Sequence, residues 1–306
     1  MTARSTRLTN PLSALEGWLT APQSILRLEI VRALAPLAIL GFMSGRMAHA
    51  DELLGEAGFR VPDLLVDDYR QPLYVAALSN GAAWCVAVVL VAAGLATAAG
   101  YRTRAASLVF ACALAFVALA DRLGAFTVSK IAPTLMLAIF LSPAGARYGV
   151  DAWRARRADP RVEPPTEVSS GAVRYFQAFL VVMYVSSGWA KATYEWFDDP
   201  HILWSHVHDS YQTWFAWAFA NAMPSFAWSV FQYVVLALEL GAPIWFASAR
   251  ARPIALVLAL GMHAMIGLMF GPVKWFALLM MIVLVAGYAS DATLARAARW
   301  LDRTGS

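Results

Sequence analysis

An all-α, polytopic membrane bundle of about eight transmembrane helices plus one interfacial helix is what this sequence encodes. Of 306 residues, 60% are hydrophobic and 14% charged, with mean hydropathy +0.57, against about 45–50% apolar and roughly 25% charged in a soluble domain. The surplus apolar surface must face lipid. A crossing helix needs about 20 mostly apolar residues, and such windows recur over 27–48, 73–98, 104–121, 126–143, 173–192, 226–248, 253–270 and 273–290. Disorder, collagen-like repeats and an ordinary water-soluble enzyme are excluded by the same numbers.

The first window holds Glu29 and Arg32, three residues apart, which are placed to pair with each other or with the interface. The third and fourth are short and separated by Asp121, Arg122, Leu123 and Gly124, so they either tilt or form a re-entrant pair. Between the fifth and sixth lies Tyr211 to Ala222, too short to span and rich in Trp and Phe, which reads as a helix lying at the membrane surface. The segment before Arg27 contains Pro11, Glu16, Trp18 and Pro22 rather than a continuous apolar run, so no cleaved signal peptide is expected. Residues 1–306 read as one membrane domain: a front half over about 27–143, a linker over 144–172 rich in Pro and charge, and a back half over 173–290. No internal repeat relates the halves.

Charge placement gives the orientation. Sixteen Lys and Arg fall on the side shared by the termini, the loop at Arg102 and Arg104, the linker and the turn at Arg250 and Arg252; seven fall opposite, namely Arg46, Arg60, Arg70, Arg122, Lys130, Lys191 and Lys274. Both termini should therefore be cytoplasmic, in a bacterial-type inner membrane. The outer loops are acidic, through Asp51, Glu52, Glu56, Asp63, Asp67 and Asp68 in the first and Glu195, Asp198, Asp199 and Asp209 in the third. Net charge +4 brings no basic stripe or RNA-binding signature, and no nucleic-acid partner is expected. Cys85 and Cys112 lie within apolar runs and read as small buried hydrophobes.

Polar groups inside hydrocarbon are costly and are candidates for function. On the fifth window Gln177, Tyr184, Ser187 and Lys191 fall within an arc of roughly 80° at about 100° per residue. Gly188 shares that side and admits a ligand or another backbone. On the sixth, Ser229, Gln232 and Glu239 share a face, and Pro243 frees the Glu239 carbonyl and favours a kink. The seventh offers His263, and the topology puts Lys191 and His263 toward the outer leaflet. A common outward pocket follows, with Lys191 as general base, or else Lys191 is a snorkelling anchor and Glu239 and His263 fasten helices. His201, His206 and His208 beside the outer acids match no zinc spacing, and no metal site is assigned. Walker, dinucleotide, zincin and nucleophile-elbow motifs are absent.

The run Tyr184-Val185-Ser186-Ser187-Gly188-Trp189-Ala190-Lys191, followed by Glu195-Trp196-Phe197, resembles the matching helix and outer loop of HTTM-domain proteins, relatives of the membrane module of vitamin K-dependent gamma-carboxylase. Arg102-Thr103-Arg104, Leu141-Ser142-Pro143-Ala144-Gly145, Asp151-Ala152-Trp153, Glu239-Leu240-Gly241-Ala242-Pro243 and His263 follow in the same order. The resemblance covers about 27 to 290 and implies quinone or lipid chemistry with a reduced quinone as cofactor. Lys191 is in the position of the lysine that deprotonates reduced vitamin K. Catalytic roles are thereby implied for Lys191, Glu239 and His263, and cofactor contacts for Gln177, Tyr184, Ser187 and Gln232. The animal enzyme continues into a large luminal region where only Ser290 to Ser306 follow the last window here, so protein gamma-carboxylation is not expected. The rival readings are a noncatalytic accessory protein serving a secreted partner and a small-solute transporter, the latter disfavoured by the lack of paired broken helices.

Overall fold

The computed structural model describes residues 11–56, 75–120, 127–194, 196–208 and 212–304. Arg60, Asp63, Asp67, Asp68 and Arg70, residues Asp121 to Gly124, Glu195, Asp209 and Tyr211 lie outside them. Fifteen helices are described: α1 (Pro11–Thr20), α2 (Leu26–Met47), α3 (Ala50–Leu54), α4 (Asn80–Ala99), α5 (Thr103–Ala120), α6 (Thr127–Phe140), α7 (Val150–Ala158), α8 (Gly171–Thr193), α9 (Ile202–Val207), α10 (Trp214–Ala222), α11 (Ser225–Leu240), α12 (Ala242–Ala247), α13 (Arg252–Met269), α14 (Lys274–Tyr288) and α15 (Asp291–Thr304). Two short strands, β1 (Pro22–Ser24) and β2 (Glu167–Ser169), pair antiparallel with Gln23 opposite Val168.

The helices are apolar on both sides, as lipid requires. Val88, Val109, Ile254 and Val257 are exposed on α4, α5 and α13, while Leu90, Phe110 and Ala259 of the same helices are buried. α2 runs through the middle, its Leu28, Val31, Ala35 and Ile39 in one apolar cluster that extends through α4, α5, α6, α8 and α14. Front and back halves therefore share a core. A smaller cluster around Trp228, Val207, Ala216 and Met269 lies beneath α9 and α10.

Among the described residues, four helices are long and apolar enough to cross a membrane, namely α4, α5, α13 and the stretch ending in α14, and a fifth span results if α10 and α11, bent by 114°, count as one. The expected eight overstates that number, for two physical reasons. α6 and α11 have 14 and 16 residues, fewer than the ~20 a bilayer needs. α2 and α8 are long enough at 22 and 23 residues, but they carry charged and polar groups along their length, and Arg27, Glu29 and Arg32 on α2 are buried within the protein. Pro243 has its expected effect, since the sixth window is broken at Gly241 into α11 and α12.

Those buried charges on α2 knot one end of the bundle. Glu29 and Arg32 pair with each other at 2.7 Å. The second Glu29 oxygen accepts the backbone N–H groups of Gly145 and Arg147, each at 3.0 Å, and Arg32 donates to the Thr97 carbonyl at the end of α4. Arg27 donates to the Ala286 and Ala289 carbonyls, capping α14, and pairs with Asp291. These are cations at a helix C-terminus, where unpaired carbonyls concentrate. Arg147 pairs with Asp302 of α15 at 2.9 Å, and the Asp151 N–H donates to the Gly100 carbonyl. The N-terminal segment, the α4–α5 turn, the linker and α15 thus meet at a single end, the grouping that the charge count demands of same-side segments.

Candidate functional site

Polar side chains from α8, α11 and α13 converge away from that knot. The approach of α8 to α11 is close because of Gly188: a Cβ there would lie 2.9 Å from the Glu239 Cβ and 3.0 Å from the Leu240 nitrogen. The space opened by the missing side chain is filled by another helix backbone, which sets Glu239 against the polar wall of α8.

Lys191 Nζ donates to both carboxylate oxygens of Glu239, at 2.5 and 2.6 Å, and to Ser187 Oγ at 3.1 Å. Ser187 in turn donates to Glu239 Oε1 at 3.2 Å. The Lys191 ammonium also lies 5.0 Å from the centre of the Trp196 ring, within cation–π range. The Glu239 side chain is 5% exposed and that of Lys191 24%, so the carboxylate is enclosed and the amine partly exposed.

Tyr184 stands seven residues before Lys191, two turns or about 10 Å along α8. Its hydroxyl is 2.9 Å from Nε2 of His263 on α13. Phe246 stacks on the Tyr184 ring and Phe276 packs edge-on against the imidazole. His263 is 2% exposed, and its Nδ1 is buried without a hydrogen-bond partner among the described residues. A buried orphan of this kind costs about 1–3 kcal/mol unless something meets it.

Five of the seven residues singled out from sequence, Tyr184, Ser187, Lys191, Glu239 and His263, therefore form one column, with the ion pair above and the Tyr–His pair below. The other two stand apart. Gln177 lies at the knotted end, about 21 Å along α8 from Lys191, accepting from Arg174 and donating to the Gly287 carbonyl. Gln232 is fully buried on α11, but its amide holds the segment between α8 and α9, donating to the Trp196 and Asp199 carbonyls and accepting from the Leu203 N–H. That segment carries the Trp196 ring to Lys191, a role that spacing along the chain gives no sign of.

Among the described residues no group of three His, Cys, Asp or Glu side chains is arranged to hold a metal ion. His206 and His208 each turn Nδ1 to a carbonyl four residues back, at Ile202 and Trp204. Cys85 and Cys112, expected to be buried, are free and exposed on the lipid-facing sides of their helices.

The landmarks quoted from the sequence sort into the two ends of the molecule. Tyr184–Lys191, Glu239–Pro243 and His263 build the column. Arg102–Arg104, Leu141–Gly145 and Asp151–Trp153 surround the knot, where Gly145 at φ +90 leaves room for Thr103. No curated protein and no solved structure matches the chain. The model of the HTTM domain matches residues 67–290, ending just past α14. A multi-pass membrane chain with this match belongs to the HTTM family.

Proposed function

We propose that this chain is a single-domain inner-membrane protein, 1–306, whose Lys191–Glu239 pair moves a proton for a membrane-soluble ligand of the reduced-quinone class. The knotted end faces the cytoplasm in this reading, by its excess of arginine, and the column opens outward. One observation carries the proposal: an amine held by both oxygens of an enclosed carboxylate stands in line with a Tyr–His pair whose second ring nitrogen, Nδ1, is unmet among the described residues.

To act as a base, Lys191 must first lose its proton, and Glu239 at 2.5 Å is the acceptor at hand. Transfer turns two charges into a neutral amine and acid, a form that apolar surroundings disfavour less. The neutral Nζ then takes a hydroxyl proton, with Ser187 holding the amine in place. A bound hydroquinone would supply that acidic hydroxyl. His263, held through Nε2 by the Tyr184 hydroxyl, has Nδ1 left to meet a polar group of the ligand, as donor or acceptor according to its tautomer. Gln177 is left as a tie between α8 and α14, and Gln232 acts indirectly through Trp196.

A noncatalytic reading is favoured by one feature, the complete pairing of Lys191, which a helix fastener in an accessory protein would share. Extraction of bound lipid from protein purified in mild detergent separates the two. Quinone should accompany the wild type and be lost from Lys191→Met and Tyr184→Phe, while Lys191→Met/Glu239→Gln reports whether folding survives without the pair. Equal quinone in wild type and in well-folded Lys191→Met would overturn the proposal in favour of the fastener.

A further inference from the structure

A second polar surface lies at the opposite end and has no part in the proton chemistry. The turn between α4 and α5 joins two of the clearest spans, so Tyr101 and Arg102 sit where hydrocarbon gives way to headgroups. α7 is laid against this turn by backbone contact. The Asp151 N–H donates to the Gly100 carbonyl at 3.0 Å, and Gly100 meets Gly149 so closely that a Cβ on Gly100 would be 2.5 Å from the Gly149 Cα. This docking sets Arg154 over the Tyr101 ring at 4.9 Å, with Arg102 at 5.9 Å from the same ring, while Arg157 lies 5.3 Å from the centre of Trp153. Tyr101, Arg102, Arg104, Trp153, Arg154 and Arg157 are all exposed.

Among the described residues none of these four arginines has a carboxylate partner. Of the acids close in sequence, Asp151 is half-buried in the first turn of α7 and Asp159 accepts the Arg161 N–H. A guanidinium lying over an aromatic face is held in position while its N–H edge stays free, and that edge matches a phosphate oxygen pair. The surrounding Tyr and Trp are the residue types that settle at headgroup depth.

We propose that the α4–α5 turn and α7 form a binding site for the phosphate of an anionic phospholipid, with Arg102 and Arg154 flanking Tyr101 and Arg157 held on Trp153. Four uncompensated cations have nothing to offer a choline, so the site discriminates by net headgroup charge. The proposal stands apart from the quinone reading and does not depend on it.

The test is native mass spectrometry of the full chain in detergent, titrated with phosphatidylglycerol or phosphatidylcholine. Phosphatidylglycerol should bind more tightly, and Arg154→Gln/Arg157→Gln should weaken it by about five-fold per arginine removed, the factor that ~1 kcal/mol per basic residue produces. Arg296→Gln/Arg299→Gln removes equal charge from α15 and should leave the preference intact, which also controls for net charge. Inorganic phosphate at equal concentration should not displace the lipid. Equal binding of the two lipids, an unchanged preference in Arg154→Gln/Arg157→Gln, loss confined to the α15 variant, or displacement by inorganic phosphate would each overturn the assignment.

Discussion

Removing the Lys191 ammonium leaves the Glu239 carboxylate in an apolar enclosure with Ser187 as its remaining partner. Breaking a buried ion pair from one side costs about 3–5 kcal/mol. In the proposed outward-facing reading the Lys191 side chain, 24% exposed, borders water, and the loss is then smaller. For Lys191→Met we expect about 2–3 kcal/mol, or a fall in Tm of about 5–10 °C at a few degrees per kcal/mol. Glu239→Gln strands the amine instead and should cost less, since the amine is the more exposed partner. The double variant Lys191→Met/Glu239→Gln carries neither charge and should regain at least half of what Lys191→Met loses. Thermal unfolding in mild detergent followed by tryptophan fluorescence reads all three, and the double-mutant cycle isolates the coupling. A double variant as unstable as the sum of the two singles would mean that the groups do not interact in the folded protein, and the proton relay would lose its first step.

Other expectations follow from particular contacts. Glu29→Gln keeps the shape of the knot but leaves Arg32 buried without its anion, and should lower stability by about 3–5 kcal/mol on the same thermal assay; a loss under 1 kcal/mol would mean the pair is inconsequential. Gly188→Ala gains helix propensity of about 1 kcal/mol yet forces α8 from α11, at a cost of about 1–3 kcal/mol. Its net destabilisation should come with loss of the column's ligand, and a stabilised, fully loaded variant would contradict the close approach. Gln232→Leu removes the amide that holds the Trp196–Leu203 segment, and limited proteolysis should then cut there several-fold faster, with little change at the knot. Burial pushes the Tyr148 phenol above its ordinary value. The folded chain thus keeps that proton where the unfolded chain has lost it, so its contribution is full below about pH 10 and declines as pH rises beyond. Tyr148→Phe should flatten this alkaline decline in a stability–pH curve.

The sequence made the column legible where side chains obey helical periodicity. Tyr184, Ser187 and Lys191 recur at intervals of three and four along α8, and a polar stripe in lipid has to meet polar partners, which Glu239 and His263 supply. The Glu29–Arg32 pair is equally local and is present as read. Gln177 and Gln232 obey the same periodicity, yet a helix face turns past different neighbours along its length. One reaches the end of α14, the other a loop. Trp196 was illegible because its place depends on a segment hung from Gln232, and Arg27 because its partners lie more than 250 residues away. The number of spans was overread for a related reason. A window average cannot distinguish a helix coated by lipid from one such as α2, whose charges are satisfied by the protein itself.

The contacts of Arg27 set an order on biosynthesis. This residue enters the membrane region with the first long helix, while the carbonyls it caps belong to residues 286 and 289. At about 5–20 residues per second, translation needs roughly 13 to 50 s to deliver them. Throughout that interval the guanidinium must be housed by headgroups, water or an insertion factor, and the arrival of α14 releases it. Synthesis of α14 is therefore also the event that closes the seam at the start of α2.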